Sequence, residues 1–214
     1  MAQRAVMADP TRYPIPAGTH RVEVEVRRSR FITTIGPAAS AAEAADVVRR
    51  VSEEFPDATH HCWAYVAGPP GSTSRVGMSD AGEPHGTAGR PMLTALLHGG
   101  VGDVVAVVTR YYGGTKLGTG GLVRAYAGGV QQALATLRRT ERVDAVVLRL
   151  TVGYPRVVGA QQLFPAFDVQ VLAEDYQADV TFRLRVPLDA VDRFRASLMD
   201  ATRGEARLSE PDPG

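Results

Sequence analysis

The sequence is poor in cysteine: Cys62 is the only one among 214 residues. A single thiol cannot close an internal disulfide, so the fold needs neither cross-links nor an oxidising compartment. Long apolar runs are also missing, because the longest, such as VVAVV at residues 104–108, have the length of a strand rather than of a membrane span. The N-terminal residues lack the apolar core of a secretory signal. We therefore expect a cytoplasmic protein with no membrane partner.

An excess of charge of either sign is also absent. The sequence has 24 Lys and Arg residues against 23 Asp and Glu residues, which gives a formal net charge of +1. This balance argues against a protein that coats a polyanion over its whole surface. It leaves room for a local basic groove, because binding depends on where charge lies rather than on its sum. The hydrophobic share of 44% is typical of a folded soluble protein.

The order of the patterns predicts an α+β protein with two domains. Residues 1–19 contain three prolines and no periodicity, which predicts a flexible arm. Residues 20–142 alternate between strand and helix patterns and form the predicted N-terminal domain. Beyond a change of composition near residues 138–144, the order β-α-β-β-α-β indicates a ferredoxin-like domain over residues 143–210. Residues 211–214 are predicted to be a frayed tail.

One glycine-rich segment stands out, RYYGGTKLGTGGLVRAY at residues 110–126, where five of the nine residues from 113 to 121 are glycine. It follows a strand pattern that looks buried on both faces and precedes a helix with its apolar stripe from Leu122 to Leu137. A helix N-terminus offers unpaired N–H groups and a positive dipole end, and glycines let an anion approach closely. The segment therefore predicts a phosphate-binding site formed by Arg110, Gly113, Gly114, Lys116, Gly118, Thr119, Gly120, Gly121 and Arg124.

A plainer interpretation of the same segment stays open. The glycines could serve only tight turns against a neighbouring strand, with the three basic side chains solvated. The phosphate-loop spacing G-x-x-x-x-G-K-[ST] is absent, because Lys116 does not follow the second glycine in that pattern.

A second glycine-interrupted loop, SDAGEPHGTAGRPML at residues 79–93, also leads into a helix pattern. Its carboxylates could ligate a metal or act as a base, and its threonine could cap the helix or contact phosphate. The alternative is a capped surface turn in which the glutamate pairs with a nearby arginine. The secondary candidates are Glu83, Gly86, Thr87, Gly89 and Arg90. The run His60–His61–Cys62 predicts no zinc site, since its neighbours alternate between faces of a strand and no Cys-x-x-Cys is present.

The two loops together carry a family resemblance. GEPHGTAGRPML followed by VVAVVTRYYGGTKLGTGGLVRAYAGGVQQAL closely resembles the signature of the IMPACT/YigZ family, and SRFIT and HHCWAYVAG match its other marks. The resemblance covers roughly residues 20–210. The sequence departs from the family pattern in three places: Ala81 replaces the second of two aspartates before GEP, His85 replaces serine, and Tyr112 stands where phenylalanine is commoner.

The resemblance implies a fold and a function. The N-terminal domain would share the fold of a ribosomal-protein domain and of elongation factor G domain IV, with a left-handed βαβ crossover, and the C-terminal domain would be ferredoxin-like. The implied function is a non-catalytic, RNA- or ribosome-associated protein related to translation regulation, with no catalytic residue, metal or cofactor. The alternative is an enzyme that acts on a phosphorylated small molecule or nucleotide with Mg²⁺. The C-terminal domain could also bind a protein partner.

Overall fold

A computed structural model describes residues 10–210, and the chain divides into two compact units, one up to residue 142 and one from residue 143. Both units combine helices with antiparallel sheets. The elements up to the boundary are strands β1 (Arg12–Pro16), β2 (His20–Val26), β3 (Ser29–Pro37), β4 (His60–Val66), β5 (Val76–Ser79), β6 (Val104–Tyr111) and β7 (Arg139–Val143), and helices α1 (Ala41–Glu54), α2 (Gly89–Leu97) and α3 (Thr119–Thr136).

The first unit is built on a five-stranded sheet with strand order β2-β3-β6-β4-β5, in which every neighbouring pair is antiparallel. Strand β6 lies at its centre and is buried along nearly its whole length, as its apolar sequence predicts. Alternate residues of β6 point to opposite faces. Val105 and Val107 pack with α1, whereas Val104, Ala106 and Val108 pack with the residues of α2 and α3.

Helices α1 and α2 begin where the sequence signals predict, whereas α3 begins at Thr119, three residues before its predicted helical pattern. Ser40 accepts a hydrogen bond from the Glu43 amide at α1 (3.2 Å), and the Glu43 carboxylate accepts one from the Ala39 amide (2.9 Å). Pro91 lies in the first turn of α2, where it needs no amide hydrogen. The predicted apolar stripe of α3, from Leu122 onward, is buried against the sheet. Packing on both faces thereby fixes the end of β6 against the start of α3.

The N-terminal segment differs from the predicted flexible arm over part of its length, because residues 12–16 form β1 and pair with β7. Tyr13 is buried and donates its hydroxyl hydrogen to Asp103 (3.0 Å), and the Pro14 carbonyl accepts from the Gly102 amide (2.9 Å). The prolines hide the strand pattern in the sequence, but an edge strand tolerates them. Residues 1–9 of the predicted arm and the predicted tail at 211–214 lie outside the described residues.

The second unit contains strands and helices in the order β-α-β-β-α-β, as the sequence pattern predicts. Its elements are β8 (Ala145–Val152), α4 (Val157–Gln161), β9 (Gln170–Tyr176), β10 (Val180–Pro187), α5 (Val191–Thr202) and β11 (Arg207–Ser209). The four strands form an antiparallel sheet with order β11-β8-β10-β9. Its core packs Leu150, Phe182 and Leu184 against Phe194 and Leu198 of α5.

None of the helices between residues 10 and 210 is both long and apolar enough to span a membrane.

Candidate anion-binding site

The N-terminus of α3 is open. Gly118 precedes the helix with a φ of 73°, a conformation that glycine adopts without a Cβ penalty. The Leu122 amide donates to the Gly118 carbonyl (3.0 Å), so the three amides from Thr119 to Gly121 come before the first intrahelical hydrogen bond. No side chain within residues 10–210 caps this end. An 18-residue helix therefore directs unpaired N–H groups and its positive dipole end outward.

A cavity of about 500 Å³ lies at this helix end. Lys116 is exposed and forms no ion pair with another described residue, so its ammonium group is available to a ligand. Tyr112 is 47% exposed and presents an aromatic ring to the same space. The complete lining is Glu83, Pro84, Arg110, Tyr112, Lys116, Leu117, Gly118, Thr119 and Leu122.

Arg110 lines this cavity but does not act as a free cation. Its Nη1 donates to Glu83 Oε1 at 2.6 Å, with side-chain exposures of 6% and 3% for the two residues. Tyr126 donates to the same carboxylate oxygen (2.7 Å), and Ser29 accepts from Arg110 Nη2 (3.3 Å). The Arg110 Nε atom is buried without a hydrogen-bond partner in the described chain. Arg110, one of the three predicted cations, is therefore neutralised in a buried ion pair with Glu83 and is not available to bind an anion.

The remaining residues of the glycine-rich loop fall into distinct roles. Arg124 is exposed in the second turn of α3, where its side chain reaches back near Gly120 but does not line the cavity. A Cβ at Gly113 would overlap the backbone carbonyl of Arg28, so this glycine allows the loop to pack against the turn between β2 and β3. Gly114 has a φ of 82°. The turn-forming interpretation thus explains Gly113 and Gly114, and it leaves the open helix end unexplained.

The second loop contains an aspartate, Asp80, whose carboxylate caps the N-terminus of α2. Asp80 accepts hydrogen bonds from the amides of Gly86 (2.8 Å), Ala88 (3.0 Å) and Gly89 (2.8 Å) at the start of α2. Partial burial pushes the pKa of Asp80 upward, but the three amide hydrogen bonds outweigh it and hold the pKa below its ordinary value. The His85 side chain is fully exposed, with its Nδ1 3.8 Å from Asp80 Oδ2. The anion-binding end of α2 is therefore already occupied.

The other candidates of the second loop also take structural positions. Glu83 pairs with an arginine, which is the alternative interpretation that the sequence left open. Thr87 is buried and donates its hydroxyl hydrogen to the Pro84 carbonyl (2.6 Å), so the hydroxyl closes a turn. Gly86 and Arg90 line a different cavity of about 690 Å³ between α2 and α3. A Cβ at Gly89 would approach the backbone of Ser79 at 3.0 Å.

The histidine and cysteine run on β4 is dispersed. His60 contacts the Ala81 carbonyl (2.9 Å), and His61 contacts Thr109 and the Phe55 carbonyl (both 3.1 Å). Burial raises the pKa of the Cys62 thiol to about 12, so the thiolate needed of a nucleophile is not populated near neutral pH. Among residues 10–210, no three His, Cys, Asp or Glu side chains converge in a way that could hold a metal ion.

The two loop-to-helix segments lie in a region with known relatives. Residues 27–134 match the family described as Impact N-terminal domain, and residues 150–205 match one described as Domain of unknown function (DUF1949). The chain belongs to the IMPACT family. The resemblance inferred from the loops is thus confirmed.

Several named IMPACT family members are similar over most of their length. IMPACT family member YigZ of Escherichia coli (strain K12) is 44% identical over 194 residues, which is 91% of this chain and 95% of that protein. IMPACT family member YvyE of Bacillus subtilis (strain 168) is 31% identical over 91% of this chain and 88% of that protein. A crystal structure of a hypothetical protein matches with a TM-score of 0.67 and 42% identity, covering 96% of this chain and 100% of that one.

Two of the departures from the IMPACT pattern have a structural setting. Ala81 has a φ of 45°, a left-handed conformation that an aspartate or asparagine adopts more readily than alanine. Tyr112 lines the cavity, and its ring centroid lies 5.5 Å from the Arg110 guanidinium carbon. Sequence reasoning missed the capping role of Asp80. An aspartate just ahead of a glycine loop and a helix is the signal that could have indicated it.

Proposed function

We propose that this IMPACT family protein is a non-catalytic binding protein associated with RNA or the ribosome, and that it holds phosphate at the N-terminus of α3. The observation that carries the proposal is the contrast between two helices. Asp80 fills the N-terminus of α2, whereas the N-terminus of α3 has no cap and faces a cavity beside Lys116. A helix end of this kind attracts an anion from outside the chain.

Magnitudes favour a polymeric ligand over free phosphate. The helix dipole contributes about 0.3–1 kcal/mol to an exposed anion, and a hydrogen bond to a charged group about 1.5–3 kcal/mol. Two or three such hydrogen bonds with the dipole sum to about 3–10 kcal/mol, and an association cost of about 4–15 kcal/mol offsets most or all of that, so a single free phosphate binds weakly. Useful affinity therefore needs several phosphates on one molecule. RNA supplies them.

The exposed ring of Tyr112 supports a nucleic acid over other polyanions. It lines the same cavity as Lys116, so a nucleotide whose phosphate lies at the helix end could place its base against the ring. Stacking of a base on an aromatic side chain is worth about 1–3 kcal/mol and does not depend strongly on sequence. We expect binding with little sequence preference at this site.

The enzymatic alternative, in which Asp80 or Glu83 holds Mg²⁺ for a phosphorylated substrate, has no observation in its favour. Asp80 accepts from three backbone amides, and Glu83 is held by Arg110 and Tyr126.

The translation-related role also agrees with the finer fold proposals. We propose the ribosomal-protein and elongation factor G domain IV fold for the first unit and a ferredoxin-like fold for the second, whose sheet order suits it.

Fluorescence anisotropy with a labelled single-stranded RNA at low salt tests the proposal. The double variant Lys116→Ala, Arg124→Ala should bind about tenfold more weakly than the wild type. Its slope of log affinity against log salt should fall by about 0.7 for the loss of Lys116 from the cavity, and by about 1.4 where Arg124, which lies beside Gly120 outside the cavity, contacts a second phosphate. The double variant Arg50→Ala, Arg75→Ala is the matched control, because it removes two exposed arginines of the same unit away from the cavity.

The proposal fails if the wild type has no RNA affinity at low salt, or if both double variants bind equally well. A thermal-shift series with nucleotides and Mg²⁺ covers the enzymatic alternative. Stabilisation by a nucleotide that requires Mg²⁺, without RNA binding, would replace the proposal with that alternative.

A further inference from the structure

The sheet of the second unit has two unlike faces. Along β8 and β10 every second residue is buried against the helices, as with Leu148 and Leu150 on β8 and Phe182 and Leu184 on β10. The residues between them point to the opposite face. The exposed positions of that face in β8 and β10 carry arginine, and no helix of the unit covers them.

Arginine recurs across three of the four strands on this open face. The register places Arg183 directly opposite Arg149, Arg185 opposite Val147, and Arg207 opposite Thr151. All four arginines are exposed. We name Arg149, Arg183, Arg185 and Arg207 the arginine face.

Three of the four arginines of this face have no acidic partner among the described residues. Within residues 10–210, Arg183, Arg185 and Arg207 form no ion pair. At the paired positions of the open face, the acid that the described strands contribute is Asp175, which lies opposite Thr181 and accepts from the Gln177 amide group (3.3 Å). Like charges directly across a strand pair oppose folding. Arg183, Arg185 and Arg207 therefore concentrate positive charge on one face of the sheet.

The spacing of the arginine face suits a row of phosphates. Neighbouring strands lie about 4.8 Å apart and alternate residues of a strand about 6.7 Å apart, so the sheet holds the Cα atoms of these arginines in a regular grid from which the long side chains can reach neighbouring phosphates. Guanidinium groups bind phosphate oxygens in a bidentate geometry. The open face of the described strands presents no aromatic side chain, because Phe182 is buried and Tyr176 lies opposite Val180 on the covered side. The face can therefore contact backbone but cannot stack unpaired bases.

We propose that the arginine face is a second RNA-binding surface, which takes the phosphate backbone of an RNA helix without reading its sequence. The choice of RNA rests on the proposed function, but the surface is distinct in residues and in chemistry from the α3 site. An RNA helix hides its bases and presents phosphates and 2′-hydroxyls across a wide, shallow minor groove. An open sheet face whose exposed positions on β8 and β10 are arginines, and which presents no aromatic ring, matches that surface better than it matches a flexible single strand.

The test is binding of the full chain to a labelled RNA duplex of about twenty base pairs, measured by anisotropy over a range of salt. The double variant Arg183→Gln, Arg185→Gln should lose at least tenfold in affinity, with a salt slope smaller by roughly one to two. The double variant Arg193→Gln, Arg195→Gln is the matched control: it removes the same charge from two exposed arginines of α5 in the same unit. It should stay within about twofold of the wild type. Thermal unfolding of each variant verifies that it is folded.

The variant of the α3 site, Lys116→Ala with Arg124→Ala, separates the two proposals. If the arginine-face variant binds the duplex as the wild type does, or if the α5 control loses as much affinity, the inference is overturned whatever the α3 variant does. If the arginine-face variant loses duplex binding while the α3 variant keeps its single-strand binding, the inference stands and the proposed function at α3 fails.

An acidic protein surface is the competing occupant, and polyglutamate of matched length is its probe. Guanidinium groups also bind carboxylates, so a protein partner would make polyglutamate displace the duplex at equal charge concentration. That result, together with loss of polyglutamate binding in the arginine-face variant, would overturn the assignment to RNA. Retention of the duplex against excess polyglutamate supports it.

Discussion

Asp80 decides the chemistry of the second loop at the scale of single residues. Its carboxylate accepts three backbone amides, which satisfies groups that a helix start would otherwise leave unpaired. Glu83, three residues later, is used differently, as the buried partner of Arg110. Two acidic side chains that the sequence offers as metal ligands or bases are therefore parts of the scaffold, and the loop that they hold lies beside the α3 cavity through Glu83.

Asp80→Asn keeps one acceptor oxygen but removes the negative charge and the second acceptor, so it should lower the free energy of unfolding at pH 7 by about 1–2 kcal/mol. Because the folded protein lowers the pKa of Asp80, its stabilisation is complete above the ordinary aspartate pKa of about 3.9. It declines as the pH falls below that value and through the folded-state pKa. Denaturant unfolding of both proteins between pH 7 and pH 3 measures the difference, which should shrink with acid.

Asp46→Asn is the matched control, because Asp46 is exposed on α1 and its partner Arg49 is equally exposed. A surface ion pair of this kind is worth about 0–1 kcal/mol. An Asp80→Asn variant no less stable than the Asp46→Asn variant would contradict the capping role.

Helix α3 shows at the scale of elements how neighbouring glycines differ. Gly129 faces the sheet, where a Cβ would lie 2.6 Å from the Thr33 hydroxyl oxygen. Gly128 is next in the chain, but a Cβ there would meet nothing within 4 Å. Gly129 lets the helix approach β3, whereas Gly128 has no packing role. Close approach of α3 to the sheet helps to set where its N-terminus lies relative to β6.

Gly128→Ala should raise the free energy of unfolding by about 0.5–1 kcal/mol, because alanine restricts the unfolded chain and favours the helix. Gly129→Ala should lower it by about 1–3 kcal/mol through overpacking against Thr33. Denaturant unfolding of the two single variants measures both changes. Equal effects of the same sign would show that α3 does not pack on β3 as described.

Prediction from sequence succeeds for elements whose signal is local. Helix α3 and strand β6 follow from periodicity and from a continuous apolar run, and the cap at Ser40 follows from its spacing to Glu43. The pairing of Arg110 with Glu83 spans 27 residues and depends on how β6 and the second loop meet. The sequence pattern predicts Arg110 as a phosphate-binding residue and Glu83 as a metal ligand, a base or the partner of an arginine. It does not show that these two side chains pair with each other. Strand β1 was not predicted, because its partner β7 lies more than a hundred residues away in the sequence.

The charge of the whole molecule is nearly balanced, at +1, so any affinity for RNA has to come from local concentrations of charge. The first unit offers Lys116 and an open helix end. The second offers the arginine face. Lys116 in the first unit and Arg183, Arg185 and Arg207 in the second form no ion pair with another described residue. RNA binding at both should weaken as salt rises, with a slope set by the number of phosphates contacted, because each contact releases counterions.

The central claim is that the amides at the start of α3 bind phosphate, and amide shifts in a ¹H–¹⁵N correlation spectrum measure it most directly. During titration with a short oligouridylate, the amides of Thr119, Gly120 and Gly121 should shift in a saturable way, and Lys116→Ala should weaken the effect. The amide resonances of Ala88 and Gly89 should not shift, since these amides already donate hydrogen bonds to Asp80. Unchanged α3 amides, or equal shifts at both helices, would contradict the account.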